Sequence, residues 1–130
     1  MIGVDTNILV RYLVEDDAVQ TEMAADFLER RSSPARPAFV NRVVVAEVVW
    51  VLERVFRYPR HLIADNLSEL LRTASIRVED VDDVAEALGL YRDGAGFTDA
   101  LIGVSNARQG CSVTATFDRK ARRLSMFEAP

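Results

Sequence analysis

Apolar positions along this chain fall into short blocks that alternate between strand-like runs and helical spacing. Residues 2–4 form a compact apolar run suited to a buried strand. "TNILVRYLV" then places Ile8, Leu9, Tyr12 and Leu13 at helical spacing. "EDDAVQTEMAADFLERR" repeats the signal with Val19, Met23, Phe27 and Leu28, and it closes on arginines that suit a helix C-terminus. After the breaker "SSPARP", "AFV" predicts a short strand. "NRVVVAEVVWVLERVF" predicts a long apolar helix that Asn41 would cap and that Tyr58 and Pro59 would stop. "RHLIADNLSELLRTA" carries Leu62, Ile63, Leu67, Leu70 and Leu71 on one stripe. "SIRVED" predicts a strand and "VDDVAEALGLYRDG" a helix, while "AGFTDALIGVSNARQG" predicts a helix from Thr98 that Gly110 would cap. The β-branched "CSVTAT" predicts a strand, "FDRKARRL" a short helix and "SMFEA" a last edge strand.

Short strands alternating with helices predict an α/β fold: a three-layer α/β/α sandwich around a central, mainly parallel sheet. No repeat, low-complexity tract or long linker interrupts the chain, so a single domain over residues 1–130 is expected. That length buries roughly two-thirds of the unfolded surface.

Composition narrows the class. Hydrophobic residues at 49% and charged residues at 28% match a folded, soluble protein. No apolar stretch approaches the ~20 residues of a membrane span, and the N-terminus lacks an export signal. The single cysteine, Cys111, has no internal disulfide partner and fits a reducing cytoplasm. A net charge of −4 does not advertise a nucleic-acid binder, unless the acids are gathered in one place. Among 16 basic residues only Lys120 is lysine. Arginine suits phosphate recognition, although a codon bias towards arginine gives the same composition.

Most acids need no special account. Glu15, Asp16, Asp17, Glu79, Asp80, Asp82 and Asp83 lie in polar clusters and are expected to be solvated. Four others keep apolar company: Asp5 in "IGVDTNILV", Glu47 in "VVVAEVVWVL", Asp99 in "GFTDALIGV" and Asp118 in "VTATFDRK". Asp5 and Asp118 would serve as helix caps, and Asp99 would offset a helix dipole in a first turn. Glu47 is the only charge between Val43 and Leu52, a run apolar on nearly every helical face. A carboxylate buried there needs a partner, a proton or a metal.

In a parallel α/β fold, strand ends and helix starts meet at the carboxyl edge of the sheet, where ligands bind. Asp5, Asp99 and Asp118 all fall at such positions, and Glu47 would join them from a helix leaning over that edge. Four carboxylates so gathered repel one another unless a cation is present. One histidine and one cysteine exclude a nitrogen- and sulfur-rich zinc site. Carboxylate oxygens alone suit Mg²⁺ or Mn²⁺, and with them phosphodiester hydrolysis. His61 is alone, which rules out a two-histidine nuclease, and it is expected at the surface. Cys111 has no nearby histidine and is expected to be structural.

These residues carry a resemblance. "VDTNILVRYL", a lone glutamate in a following apolar helix, "FTDALIG" and "TATFDRKARRL", in that order, resemble a PIN domain. They are similar in particular to the VapC-type toxins of bacterial toxin–antitoxin pairs. The resemblance implies that Asp5, Glu47, Asp99 and Asp118 are the catalytic and metal-binding acids, supported by Thr6, Asn7 and Thr116. It implies an endoribonuclease dependent on Mg²⁺ or Mn²⁺, a small VapB-like antitoxin that covers the acidic pocket, and a homodimer or larger assembly with it. Gly96 stands where many relatives carry another aspartate, which bears on a second metal position.

An acidic protein that cleaves a polyanion needs local basic surface. Arg119, Lys120, Arg122 and Arg123 beside Asp118 are candidates to hold RNA phosphates. Arg54, Arg57 and Arg60 around Phe56 and Tyr58 are a second candidate patch. Two other readings stay open. One is a PIN-like binding module without activity. The other is a phosphohydrolase with Asp5 as nucleophile, as in haloacid dehalogenase-like phosphatases, although these usually carry an aspartate where this chain has Asn7.

Overall fold

The extended start of the chain leans on a distant strand through two backbone hydrogen bonds. Phe39 N donates to Ile2 O (2.7 Å) and Val4 N to Phe39 O (3.0 Å). In the computed structural model, which describes residues 1–130, this segment belongs to the first of two compact units, Met1–Glu79 and Asp80–Pro130. The predicted first strand is thereby reduced to a single parallel bridge, Gly3 to Phe39.

The first unit also holds strand β1 (Ala38–Val40) and strand β2 (Ile76–Val78), paired in parallel with Phe39 opposite Arg77. Period-two alternation is plain: Ala38, Val40, Ile76 and Val78 are buried while Arg77 is exposed. Helices α1 (Thr6–Leu13), α2 (Ala18–Arg31), α3 (Arg42–Arg54) and α4 (Arg60–Arg72) complete the unit. α1 packs on α2 and α3, and α3 packs on α4. Leu9, Val45, Val48, Leu52, Ile63 and Leu67 are fully enclosed. Each such side chain contributes roughly 1.5–3 kcal/mol through apolar burial.

Two predicted features differ here. The α2 stripe turns only partly inward: Ala24 and Leu28 are buried, but Val19 and Met23 are 68% and 64% exposed. Small Ala24 faces inward, and the bulkier strip beside it is left open to solvent. Helix α3 stops at Arg54, before Tyr58 and Pro59 act. The chain reverses through Arg57, whose φ of 55° is left-handed, while Tyr58 N donates to Leu52 O (3.0 Å). A non-glycine residue in that conformation costs roughly 1–2 kcal/mol. Pro59 then precedes α4 at its N-cap.

The second unit is built on helices α5 (Val81–Arg92) and α6 (Phe97–Arg108), packed against each other. They are joined by a turn in which Gly94 takes a φ of 114°, open to glycine and strained for other residues. Strands β3 (Thr114–Ala115) and β4 (Phe127–Glu128) pair in parallel, with a 3-10 turn over Ala121–Arg123 between them. The strand expected over residues 111–116 is thus two residues long, and the short helix of "FDRKARRL" is one 3-10 turn. Parallel pairing and the α/β class hold, but the sheet comes as two two-stranded pairs, one in each unit. No helix is long and apolar enough to cross a membrane.

Gly103 allows α6 to approach β4. A Cβ there would overlap Met126 Sδ and lie 2.7 Å from the Phe127 ring. Helix propensity alone favours alanine by roughly 0.5–1 kcal/mol, but the overlap dominates. Gly103→Ala is expected to lose about 1–3 kcal/mol, read as a drop of several degrees in Tm.

Asp83 corrects the expectation of a solvated acid, because it is only 7% exposed. The packing of α5 on α6 sets it against Arg108, whose Nε donates to Asp83 Oδ1 at 2.5 Å and whose second nitrogen reaches Glu86 at 3.0 Å. Arg108→Ala would leave that buried carboxylate unpaired, at an expected cost of about 1–3 kcal/mol. Adding Asp83→Asn should recover much of the loss in thermal melts. Other acids of the polar clusters also have partners: Asp16 pairs with Arg11 (3.1 Å) and Asp17 caps α2 at Gln20 N (3.1 Å). Glu79 is half-buried and accepts from Arg42 N (3.0 Å).

Candidate active site

In the first unit, the parallel segments hand over to other structure at their carboxyl ends. Asp5 leads from residues 2–4 into α1, and Asn41 leads from β1 into α3. Asp5 is the N-cap of α1, and its Oδ1 accepts from Thr6 N at 2.7 Å. Thr6 is buried, while Asp5 and Asn7 are exposed. Asn7 lines a groove of about 540 Å³ between α1 and α2, together with Arg11, Met23, Phe27 and Arg30. Asn41 caps α3 as predicted, accepting from Val44 N at 2.9 Å.

Glu47 is not buried, which corrects the desolvation argument drawn from its apolar neighbours. Helix α3 has an open face, on which Glu47 stands between Val43 (72% exposed) and Trp50 (56% exposed). The apolar run reflects an unusually hydrophobic outer face as well as the core. No hydrogen bond or ion pair engages the Glu47 carboxylate, so no protein partner competes for it.

In the second unit, Asp99 sits in the first turn of α6 behind the N-cap Gly96. Asp118 folds the following turn around itself. Its Oδ1 accepts from Lys120 N (2.8 Å) and Ala121 N (3.4 Å), and its own N donates to Thr116 Oγ1 (3.0 Å). Thr116 N in turn donates to Glu128 O (2.9 Å), which anchors the turn to the β3–β4 pair. The capping roles of Asp5 and Asp118 are therefore met, and each acid keeps a further carboxylate oxygen for another task.

Burial raises the Asp99 carboxyl above its usual range, and the negative charge of Asp118 raises it further, while Lys120 works the other way. The two acids, 19 residues apart in sequence, thus lie within electrostatic reach. Asp99 lines a cavity of about 260 Å³ with Asp93, Gly96, Lys120 and Arg123. A Cβ at Gly96 would stand 3.1 Å from Asp99 Oδ2, so glycine leaves the carboxylate its room.

Asp99, Asp118 and Lys120 come together in the second unit, with Thr116 holding the Asp118 turn and Arg123 lining the cavity. Asp5, Glu47, Thr6 and Asn7 belong to the first unit. Arg119 and Arg122 are exposed and do not line the cavity. No three Asp, Glu, His or Cys side chains gather closely enough to hold a metal ion by themselves. The donor chemistry of Asp99 and Asp118 would fit Mg²⁺ or Mn²⁺: both offer carboxylate oxygens, and a cation beside them would relieve the ionised charge that burial and Asp118 disfavour on Asp99.

His61 is exposed as expected. Cys111 is exposed too, which corrects its expected structural role: its thiol packs into no core, and only its backbone N is used, donating to Asn106 O (3.0 Å). Phe56 and Tyr58 meet edge to face with centroids 6.3 Å apart. Asp93 also lines the Asp99 cavity and does not stand out in the sequence. Its only signal, an acid before glycine at a helix end, is that of an ordinary turn.

Comparison with known proteins places the chain in a family. The family model described as PIN domain matches residues 2–125. A VapC ribonuclease of Aquifex aeolicus (strain VF5) is 29% identical over 122 residues, covering 92% of this chain and 89% of that relative. The match over nearly the whole chain shows that it belongs to the PIN domain family.

Proposed function

We propose that this protein is the toxin of a toxin–antitoxin pair, a cytoplasmic endoribonuclease that hydrolyses RNA phosphodiester bonds with Mg²⁺ or Mn²⁺. Asp5, Glu47, Asp99 and Asp118 supply the metal-binding carboxylates, and residues 1–130 act as one nuclease domain. Membership of the PIN domain family and the similarity to a relative named VapC ribonuclease support the reading. The observation that carries it is the setting of Asp99, which lines a cavity with Asp93, Lys120 and Arg123 and whose carboxyl is raised by burial first and by the negative charge of Asp118 second.

The residues divide the work. When bound, the cation acidifies water and offsets the charge that builds on the phosphate. Asp5 receives the Thr6 N–H on one oxygen, which fixes the direction of the other. Thr116 holds the backbone of Asp118, and the Asp118 carboxylate in turn holds the Lys120–Ala121 peptide groups. Glu47 brings a carboxylate with no competing ion pair. The partner is a small VapB-like antitoxin whose basic side chain takes the place of the cation among the acids, within a homodimeric or larger assembly.

The test is cleavage of a panel of RNAs, single-stranded and structured, by protein freed of any antitoxin. Cleavage is expected with Mg²⁺ or Mn²⁺ and is expected to stop with EDTA. RNA left intact with both metals would refute the enzyme reading in favour of a binding module.

A further inference from the structure

We infer that Lys120 and Arg123, beside Asp99, form a subsite for the RNA phosphate next to the bond being cleaved, whereas Arg119 and Arg122 do not take part. The inference rests on the nuclease reading above. It divides a basic tract that looks uniform in sequence, where Arg119 and Arg122 have the same spacing as Lys120 and Arg123.

The division follows from local geometry. In a 3-10 helix residues three apart stand one above the other. Arg123 N donates to Lys120 O (3.1 Å), so these two side chains leave the turn on one side. Both line the 260 Å³ cavity with Asp99, and neither Arg119 nor Arg122 does. The turn itself is fixed at three points. Asp118 Oδ1 accepts from Lys120 N and Ala121 N, Arg122 N donates to Asp118 O (3.2 Å), and the Ala121 side chain is buried.

The cavity also suits the ligand. Its volume equals that of about eight or nine waters at ~30 Å³ each, enough for a phosphodiester group and part of its hydration shell. Neither Lys120 nor Arg123 is engaged in an ion pair, so both charges are available to an anion. The pair combines a mobile point charge with a planar fork, each suited to phosphate oxygens. Asp99 lines the same cavity, so a phosphate held there lies beside one of the proposed metal-binding acids.

The experiment is fluorescence anisotropy of a short labelled single-stranded RNA in EDTA, where cleavage is suppressed, over a range of salt concentrations. Lys120→Gln and Arg123→Gln are each expected to weaken binding several-fold. Each should also lower the slope of log K against log salt by about 0.7. Arg119→Gln and Arg122→Gln should leave affinity and slope as in wild type, and Lys120→Arg should restore the slope. All four side chains replaced are exposed, so thermal melts should match wild type. Equal effects from all four glutamine variants, or none from Lys120→Gln and Arg123→Gln, would overturn the subsite while wild type still cleaves RNA. A wild type that neither binds nor cleaves RNA would overturn the nuclease reading and this inference with it.

Discussion

Asp5→Asn is expected to abolish metal-dependent RNA cleavage, lowering the rate by at least about 100-fold, while the fold stays intact. The magnitude follows from metal chemistry: losing a residue that merely supports a metal ligand costs 10–100-fold, and losing a ligand charge should cost more. The fold should survive because the structural duty of Asp5 is to accept the Thr6 N–H at the start of α1. Asparagine caps helices as well as aspartate does. The substitution thus separates the two roles of one side chain. Its measurable signature is an unchanged Tm with lost cleavage, and in bacteria a relief of growth arrest at equal soluble yield. Equal growth of wild type and variant at equal yield would argue for a binding module.

Asp99→Asn should lose activity in the same way but change stability in the opposite direction to an ordinary core substitution. The folded protein holds the Asp99 carboxyl above its usual range through burial first and Asp118 second. A raised carboxyl binds its proton more tightly in the folded state than in the unfolded one. Metal-free protein therefore gains stability from this group at acid pH and loses it as pH rises through the raised value. At neutral pH the ionised group is a liability, and removing its charge should stabilise the metal-free protein. Asp99 is partly exposed, which limits the gain to a few tenths of a kcal/mol up to about 1, or roughly 1–4 °C in Tm. The gain should fade as pH falls and the wild-type group takes up its proton. Mn²⁺ should raise the Tm of wild type and leave Asp99→Asn nearly unmoved, because only a bound cation stabilises by mass action. A metal-free Asp99→Asn that melts below wild type at neutral pH would contradict this account of the crowded pair.

Helices were the most legible part of the fold, and strands the least. The period of the apolar residues located all six helices, and Asn41 marked the start of α3. Strand lengths were hidden because β-branched runs such as "CSVTAT" satisfy strand preference without supplying a partner. Thr114 and Ala115 alone find one, in Phe127 and Glu128. Helix α3 ended early because the left-handed turn at Arg57, invisible to propensity, takes over from Tyr58 and Pro59. Solvent-facing apolar residues misled twice, at Val19 and Met23 on α2 and around Glu47 on α3. A helix with apolar residues on every face reads as buried, yet Val43 and Trp50 are open.

For the candidate site, spacing singled out four acids, and the structure shows the surroundings of each. Asp5 and Asp118 were recognisable as residues between a strand and a turn, and both take the expected caps. The proximity of Asp99 to Asp118 was implied by the parallel fold, in which helix starts and strand ends share an edge. Glu47 was picked out for a burial it does not have. Its standing rests instead on a carboxylate left without a protein partner. Asp83, whose sequence surroundings look solvated, is the buried acid, because only tertiary packing reveals Arg108 opposite it.

Mn²⁺ binding, followed by calorimetry on wild type and on Asp5→Asn, Glu47→Gln, Asp99→Asn and Asp118→Asn, reaches the central claim without depending on any RNA. Shared ligation predicts saturable binding by wild type and a loss of at least about tenfold in affinity for every one of the four variants. Wild-type affinity in Glu47→Gln or Asp5→Asn would show that those carboxylates hold no common ion with Asp99 and Asp118.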